Sequence, residues 1–166
     1  IFFSDKIEKF IPPKKGKSHI LRIIRELIEF RPEHKQTNIE VALKYLTNVI
    51  KKRSVVFLIS DFLTDNNYSD ALKISNKKHD LVALRIIDKT ETELPEIGLV
   101  KLKDNETGKL MWVDTGNKHF RKQFAVNKLK FEDDLKEIFN RAGIDSTRIL
   151  THESYVQPLM NLFKNR

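Results

Sequence analysis

The apolar residues of this chain follow two different spacings. Short apolar runs bounded by polar residues predict strands at residues 1–3, 7–11, 55–59, 81–87, 98–103, 110–114 and 148–151. Stretches with an apolar residue at every third or fourth position predict helices at about residues 16–28, 39–50, 68–78, 120–139 and 155–163. Pro12-Pro13 stops the second strand, and Gly143 is a helix terminator.

This order of elements predicts an α/β fold. Residues 55–59 are apolar on both faces, which indicates an interior parallel strand covered by helices on each side. Alternation of helix and strand implies a mainly parallel, Rossmann-like sheet with helices on both faces. We expect residues 1–11 to form a hairpin at the sheet's edge and residues 98–114 to form an appended hairpin. The whole chain, residues 1–166, is expected to be a single domain.

Composition supports a folded protein and excludes some chemistry. Among the 166 residues, 40% are hydrophobic and eleven are Phe, which is enough for a core. The lack of Cys excludes disulfides and thiolate sites. The formal net charge is +8, but the basic residues are scattered and mostly fall at predicted helix ends. Solvated helix ends are therefore favoured over a nucleic-acid surface.

The start of the chain also bears on its organisation. It opens on the apolar run Ile1-Phe2-Phe3, with no signal-peptide pattern and no apolar run long enough to span a bilayer. We therefore expect a fragment whose upstream part is absent, and a cytoplasmic location.

Two polar positions are candidates for a site. Asp61 ends the most apolar strand, and ligands of parallel sheets bind beyond the carboxyl ends of the strands. Asp61 either faces a crevice holding an ion or a polar ligand, or caps the next turn; the sequence favours neither. Thr37, followed by Glu40, has the spacing of a capping box, and helix capping is its favoured role. The two roles of Thr37 are compatible, because a hydroxyl oxygen has two lone pairs.

Other candidates are weaker. The five histidines lack metal-ligand spacing, and no Gly-rich phosphate loop is present. A solvated loop is favoured for the acids that follow residue 87, namely Asp88, Glu91 and Glu93. We expect Trp112 to pack beneath the hairpin.

Several motifs in chain order resemble a bacterial family of unknown function that has a von Willebrand factor A-like domain. They begin with TNIEVAL (residues 37–43), SVVFLISDF (54–62) and HDLVALR (79–85). Phe3-Ser4-Asp5, Ile11-Pro12-Pro13 with Gly16, Asp104-x-Glu106-x-Gly108 and Val113-Asp114-Thr115 resemble the same family. Each motif is weak alone, and it is their shared order that is specific. Members of that family are often encoded beside MoxR-type AAA+ ATPases.

The resemblance implies a metal ion-dependent adhesion site that holds Mg²⁺. Thr37 matches the threonine ligand of such a site and Asp61 matches its aspartate. The Asp-x-Ser-x-Ser loop that supplies the other ligands does not occur in the sequence. By the resemblance, that loop and the first, central strand of the sheet lie upstream of Ile1. We therefore expect a partial site, with no Mg²⁺ bound by this fragment, because two oxygen ligands hold the ion poorly.

The resemblance further implies a non-enzymatic interaction module: an adaptor or chaperone-like partner of a MoxR-type ATPase that binds acidic groups through the metal. One alternative is a metal-dependent phosphohydrolase or nuclease that uses Asp61, Asp65 and Asp88. Another is a basic nucleic-acid-binding domain. A missing central strand would also leave an open sheet edge, so either the strands at residues 1 and 55 pair with each other or two copies form a homodimer.

Overall fold

A computed structural model describes residues 1–89, 95–103, 108–164 and 166. The strands are β1 (Phe2–Phe3), β2 (Ile7–Lys9), β3 (Val55–Ser60), β4 (Asp80–Ile87), β5 (Leu99–Lys103), β6 (Leu110–Asp114) and β7 (Asp145–Leu150). The helices are α1 (Lys17–Glu29), α2 (Ile39–Val49), α3 (Ser69–Lys78), α4 (Lys118–Ala142) and α5 (Val156–Lys164). The predicted α/β class is confirmed.

The strands form three separate sheets. The central one is parallel, with the order β3-β4-β7, and β1-β2 and β5-β6 are antiparallel hairpins. Both hairpins were therefore predicted correctly as hairpins. The expectation that they join the central sheet is wrong, since neither pairs with it among the described residues. The strands β1 and β3 do not pair with each other.

The main core lies on one face of the central sheet, beneath α2, α3 and α4. Its buried side chains include Leu43, Leu72, Leu81 and Phe139. On the opposite face, α5 packs Leu162 against β4 in a smaller cluster. Helices therefore lie on both faces, as the alternation of elements predicted.

One edge of the central sheet is open. The side chains of Val55, Phe57 and Ile59 point to the α5 face and remain 56%, 44% and 58% exposed. The prediction of an interior strand covered on both sides is thus wrong. Among the described residues β3 has one strand neighbour, and its side chains on the α5 face stay largely exposed although the ring of Phe57 contacts that of Phe163. Trp112, expected to pack beneath its hairpin, is 65% exposed.

The apolar face of α1 also lacks a covering layer. No residue of this helix is buried, and its exposed aliphatic side chains are Ile20, Leu21, Ile24, Leu27 and Ile28. The amphipathic pattern predicted the helix correctly, although its apolar face contacts little of the described chain.

A buried histidine joins α3 to β4. His79 is fully buried, and neither of its ring nitrogens has a hydrogen-bond partner among the described residues. Its pKa lies below 6.5 because burial disfavours the charged ring and the neighbouring Lys78 repels it.

The folded protein should therefore lose stability in acid through His79. The unfolded chain takes up a proton near pH 6.5 and the folded chain only at lower pH, so the free energy of unfolding falls as the pH drops below about 6.5. Urea denaturation from about pH 8 to pH 5 should show this slope. It should be reduced in His79→Gln and retained in His119→Gln, whose histidine is exposed; equal slopes in all three proteins would contradict the assignment.

The open edge should support association of two copies through β3, because unpaired strand amides beside apolar side chains favour pairing with another strand. Light scattering at micromolar concentration should detect dimers of the wild type and monomers of Ile59→Lys. Ile74→Lys serves as a control, since Ile74 is 61% exposed on α3. A monomeric wild type would rule the dimer out.

Candidate functional site

The turn that follows β3 places Asp61 at the carboxyl edge of the central sheet. The amide of Phe62 donates to the Ser60 hydroxyl (3.0 Å), and the amide of Leu63 donates to Asp61 Oδ1 (3.1 Å). The Asp61 side chain is exposed. One carboxylate oxygen thus caps the turn, which is one of the two roles that the sequence left open for Asp61. The carboxylate remains accessible to solvent.

Phe62 fixes this turn with an unusual backbone. Its φ is 62°, in the left-handed region that non-glycine residues seldom adopt. Its ring is fully buried, with the ring centroids of Phe139 and Tyr68 at 5.1 and 6.2 Å. Left-handed strain costs on the order of 1 kcal/mol, whereas burying a Phe side chain gains about 2 kcal/mol. Burial of the ring therefore holds the strained backbone and, with it, the direction of Asp61.

A buried arginine lies directly behind the turn. Arg85 Nε donates to the carbonyl oxygen of Asp61 (3.3 Å), and its guanidinium forms an ion pair with Glu132 at 2.6 Å. It also stacks over the ring of Phe131, 4.9 Å from the centroid. A buried cation is stable only when paired, so Glu132 is what allows Arg85 to support this edge. Arg85 was not among the residues predicted for the site, although a charge within the apolar run of β4 is a visible signal in the sequence.

The loop before α2 is fastened to the same turn. The carbonyl oxygen of Thr37 accepts hydrogen bonds from the Thr64 hydroxyl (2.8 Å) and from Asn66 Nδ2 (3.1 Å). Thr64 and Asn66 lie three and five residues beyond Asp61. The structure therefore brings the two predicted site residues, Thr37 and Asp61, into adjoining loops.

The expected capping role of Thr37 is wrong. Helix α2 begins at Ile39, and the cap is Asn38, whose side chain accepts from the amide of Val41 (3.1 Å). The helix starts one residue later than the capping-box spacing required. The Thr37 hydroxyl makes no hydrogen bond within the described ranges 1–89, 95–103, 108–164 and 166. It is half-buried and remains able to accept another partner.

The first hairpin holds the other end of this loop. The Glu8 carboxylate accepts from the Ser4 hydroxyl (2.7 Å) and from the amides of His34 (3.1 Å) and Glu33 (3.4 Å). These hydrogen bonds lower the pKa of Glu8, and the bond from Ser4 has the largest effect. The amide of Asn38 in turn donates to the carbonyl oxygen of Ser4 (2.9 Å). The loop of residues 33–38 is thus bonded to the hairpin and to the turn of Asp61.

The remaining acidic candidates are dispersed or lie outside the described ranges. Asp65 is exposed in the Asp61 loop, and the Asp88 carboxylate accepts from the Thr151 hydroxyl (3.0 Å). Glu91, Glu93, Asp104 and Glu106 fall outside the described residues. Within the described part of the chain, no three His, Asp or Glu side chains cluster to hold a metal ion. Of the residues predicted as metal ligands, the described edge offers the Thr37 hydroxyl and the Asp61 carboxylate.

Together these features define an α/β protein with a polar edge where its parallel strands end. The chain belongs to the family described as "Protein of unknown function DUF58", which matches residues 1–133. The expectation of a family of unknown function is therefore confirmed. No helix in the part of the chain that the structure describes is long and apolar enough to cross a membrane.

Relatives of the chain are also uncharacterised. "Uncharacterized protein Rv1480" of Mycobacterium tuberculosis is 28% identical over 100 residues, 59% of this chain and 32% of the relative. The chain thus spans about a third of that relative's length. "Uncharacterized protein MAV169" of Mycobacterium avium is 23% identical over 158 residues, 94% of this chain and 93% of the relative.

One solved structure is similar to the chain: "conserved hypothetical protein BatB" of Bacteroides thetaiotaomicron. The TM-score is 0.42 at 13% identity, over 87% of this chain and 69% of that one.

The assignment of the cap leads to a direct test of Thr37 and Asn38. Asn38→Ala should lower the free energy of unfolding by about 1 kcal/mol, because the Val41 amide loses its acceptor. Thr37→Val should change it by less than about 0.5 kcal/mol, since no hydrogen bond of its hydroxyl is removed. Urea denaturation of both variants measures the two effects. If Thr37→Val lowered the free energy of unfolding by more than Asn38→Ala does, Thr37 and not Asn38 would be the capping residue.

Proposed function

We propose that the chain is part of a von Willebrand factor A-type interaction module. In this proposal the module binds acidic groups of a protein partner through Mg²⁺ and catalyses no reaction. The observation that carries this proposal is the pair of hydrogen bonds from the Asp61 loop to the Thr37 carbonyl. They tie the loop that contains Thr37 to the loop that contains Asp61, at the edge where parallel sheets bind ligands, and so support a site shared by the two residues.

Thr37 and Asp61 supply part of the coordination. Mg²⁺ takes six oxygen ligands in an octahedron at about 2.0–2.1 Å and keeps several of its waters. In this proposal the remaining protein oxygens come from segments outside this chain, as the resemblance to adhesion-site domains implies. A carboxylate of the partner occupies the last position, so that the ion bridges two proteins.

The charges around the edge suit a cation-mediated contact. The nearest buried cation, Arg85, is neutralised by Glu132, so its charge does not oppose a metal ion at full strength. The candidate partner is a MoxR-type AAA+ ATPase, for which the module acts as an adaptor; this part of the proposal rests on the sequence resemblance alone.

A magnesium titration of the full-length protein tests the site. Calorimetry should detect Mg²⁺ binding by the wild type. The affinity for Mg²⁺ should fall by at least about tenfold in Asp61→Asn and in Thr37→Val, because even the loss of a residue that only supports a metal ligand has an effect of this size. Asp65→Asn is the matched control, because Asp65 is exposed in the same loop. Unchanged affinity in both site variants would exclude Thr37 and Asp61 as ligands.

The adaptor role needs a separate measurement. Immobilised full-length protein should capture a purified MoxR-type ATPase in Mg²⁺ and release it in EDTA, and Asp61→Asn should fail to capture it. Hydrolysis of p-nitrophenyl phosphate should be absent from both forms. Turnover that disappears with Asp61→Asn would instead favour the phosphohydrolase alternative.

A further inference from the structure

We propose that a cleft between the N-terminal half of α4 and the ends of β4 and β7 binds a small amphipathic anion, a carboxylate on an apolar chain. The cleft has a volume of about 830 Å³, within the range of ligand pockets in proteins. Neither Thr37 nor Asp61 lines the cleft, and the inference does not depend on the function proposed for them.

The cleft exists because only half of α4 packs on the sheet. The buried residues of this helix, Leu135 and Phe139, lie in its C-terminal half. Its N-terminal half directs Phe124 and Leu129 into the cleft without burying either of them. The two helix residues therefore form an apolar wall that the described chain leaves uncovered.

The opposite wall is apolar as well. Ile87 and Leu150, the last residues of β4 and β7, face the helix, and Pro158 of α5 closes one side. A ligand between these walls would bury apolar surface on both sides, which contributes about 25 cal/mol per Å² removed from water. An alkyl chain suits such a space.

The charged groups of the lining favour a negative ligand. Three cations, Arg121, Lys128 and Arg148, line the cleft together with two acids, Glu132 and Glu153. Glu132 is paired with the buried Arg85 and Arg121 with Glu96, both partners lying outside the lining. Three cations against two acids leave the lining with a net charge of one positive unit.

Of the two arginines in the lining, Arg148 is the better placed to meet a carboxylate. Its guanidinium lies 3.6 Å from Glu132, at the long end of an ion pair, and its side chain is 69% exposed. By contrast, Arg121 is held by Glu96 at 3.1 Å and by the Thr115 carbonyl at 2.5 Å. Arg148 can therefore turn towards a ligand at little cost, and an arginine pairs with a carboxylate through two parallel hydrogen bonds.

The test is an NMR titration of the ¹⁵N-labelled protein with octanoate, compared with octanol and octylammonium of the same chain length. Octanoate should bind saturably and shift the amide signals of residues 87, 121–132 and 148–157. Octanol should bind more weakly and octylammonium weakest. Equal binding of all three, or shifts confined to residues 55–59 on the exposed face of β3, would overturn the proposal.

A pair of matched variants locates the anion. Arg148→Ala should lower the affinity for octanoate by about tenfold or more, because a charge-assisted contact is lost. Arg141→Ala should leave it unchanged, since Arg141 is also 69% exposed, lies on α4 outside the cleft and has its own acidic partner, Glu137. Equal affinities of the two variants would contradict the role of Arg148. If Arg148→Ala fails to fold, the comparison of the three ligands on the wild type decides.

Discussion

The burial of one phenylalanine ring in a strained turn determines the geometry of the candidate site. Phe62 adopts a left-handed backbone just after β3 ends, and the core beneath α3 and α4 accepts its ring. Asp61 is consequently left exposed at the carboxyl edge of the sheet, while the loop beyond it bonds to Thr37. Strain of this kind persists only where the surroundings over-determine it, and it is concentrated at functional sites in proteins.

The ion pair of Arg85 and Glu132 connects this turn to α4. Arg85 reaches from the middle strand to the Asp61 carbonyl, and Glu132 both balances its charge and lines the neighbouring cleft. Removing one partner would leave a buried charge unpaired, a change that costs about 3–5 kcal/mol in proteins. The polar edge and the cleft therefore share one charged group, and the position of α4 bears on both.

The sequence predicted the class, the element order and the position of Asp61, because these follow from apolar periodicity and from where an apolar run ends. It did not predict which residue caps α2, since Asn38 and Thr37 both have suitable side chains and only the backbone path decides. The apolar run of β3 indicated burial but could not reveal which neighbours cover the strand. Nor could periodicity identify the partner of Arg85, because Glu132 lies 47 positions away in the sequence.

The central claim is that the Thr37 hydroxyl and the Asp61 carboxylate share one metal ion. The most direct measurement is a crystal structure of the full-length protein grown with Mn²⁺, a close substitute for Mg²⁺ that is located by its anomalous scattering. We predict a peak about 2 Å from these two oxygens, or joined to one of them through a single bound water. A fully occupied peak elsewhere, with Thr37 and Asp61 contacting only solvent, would contradict it.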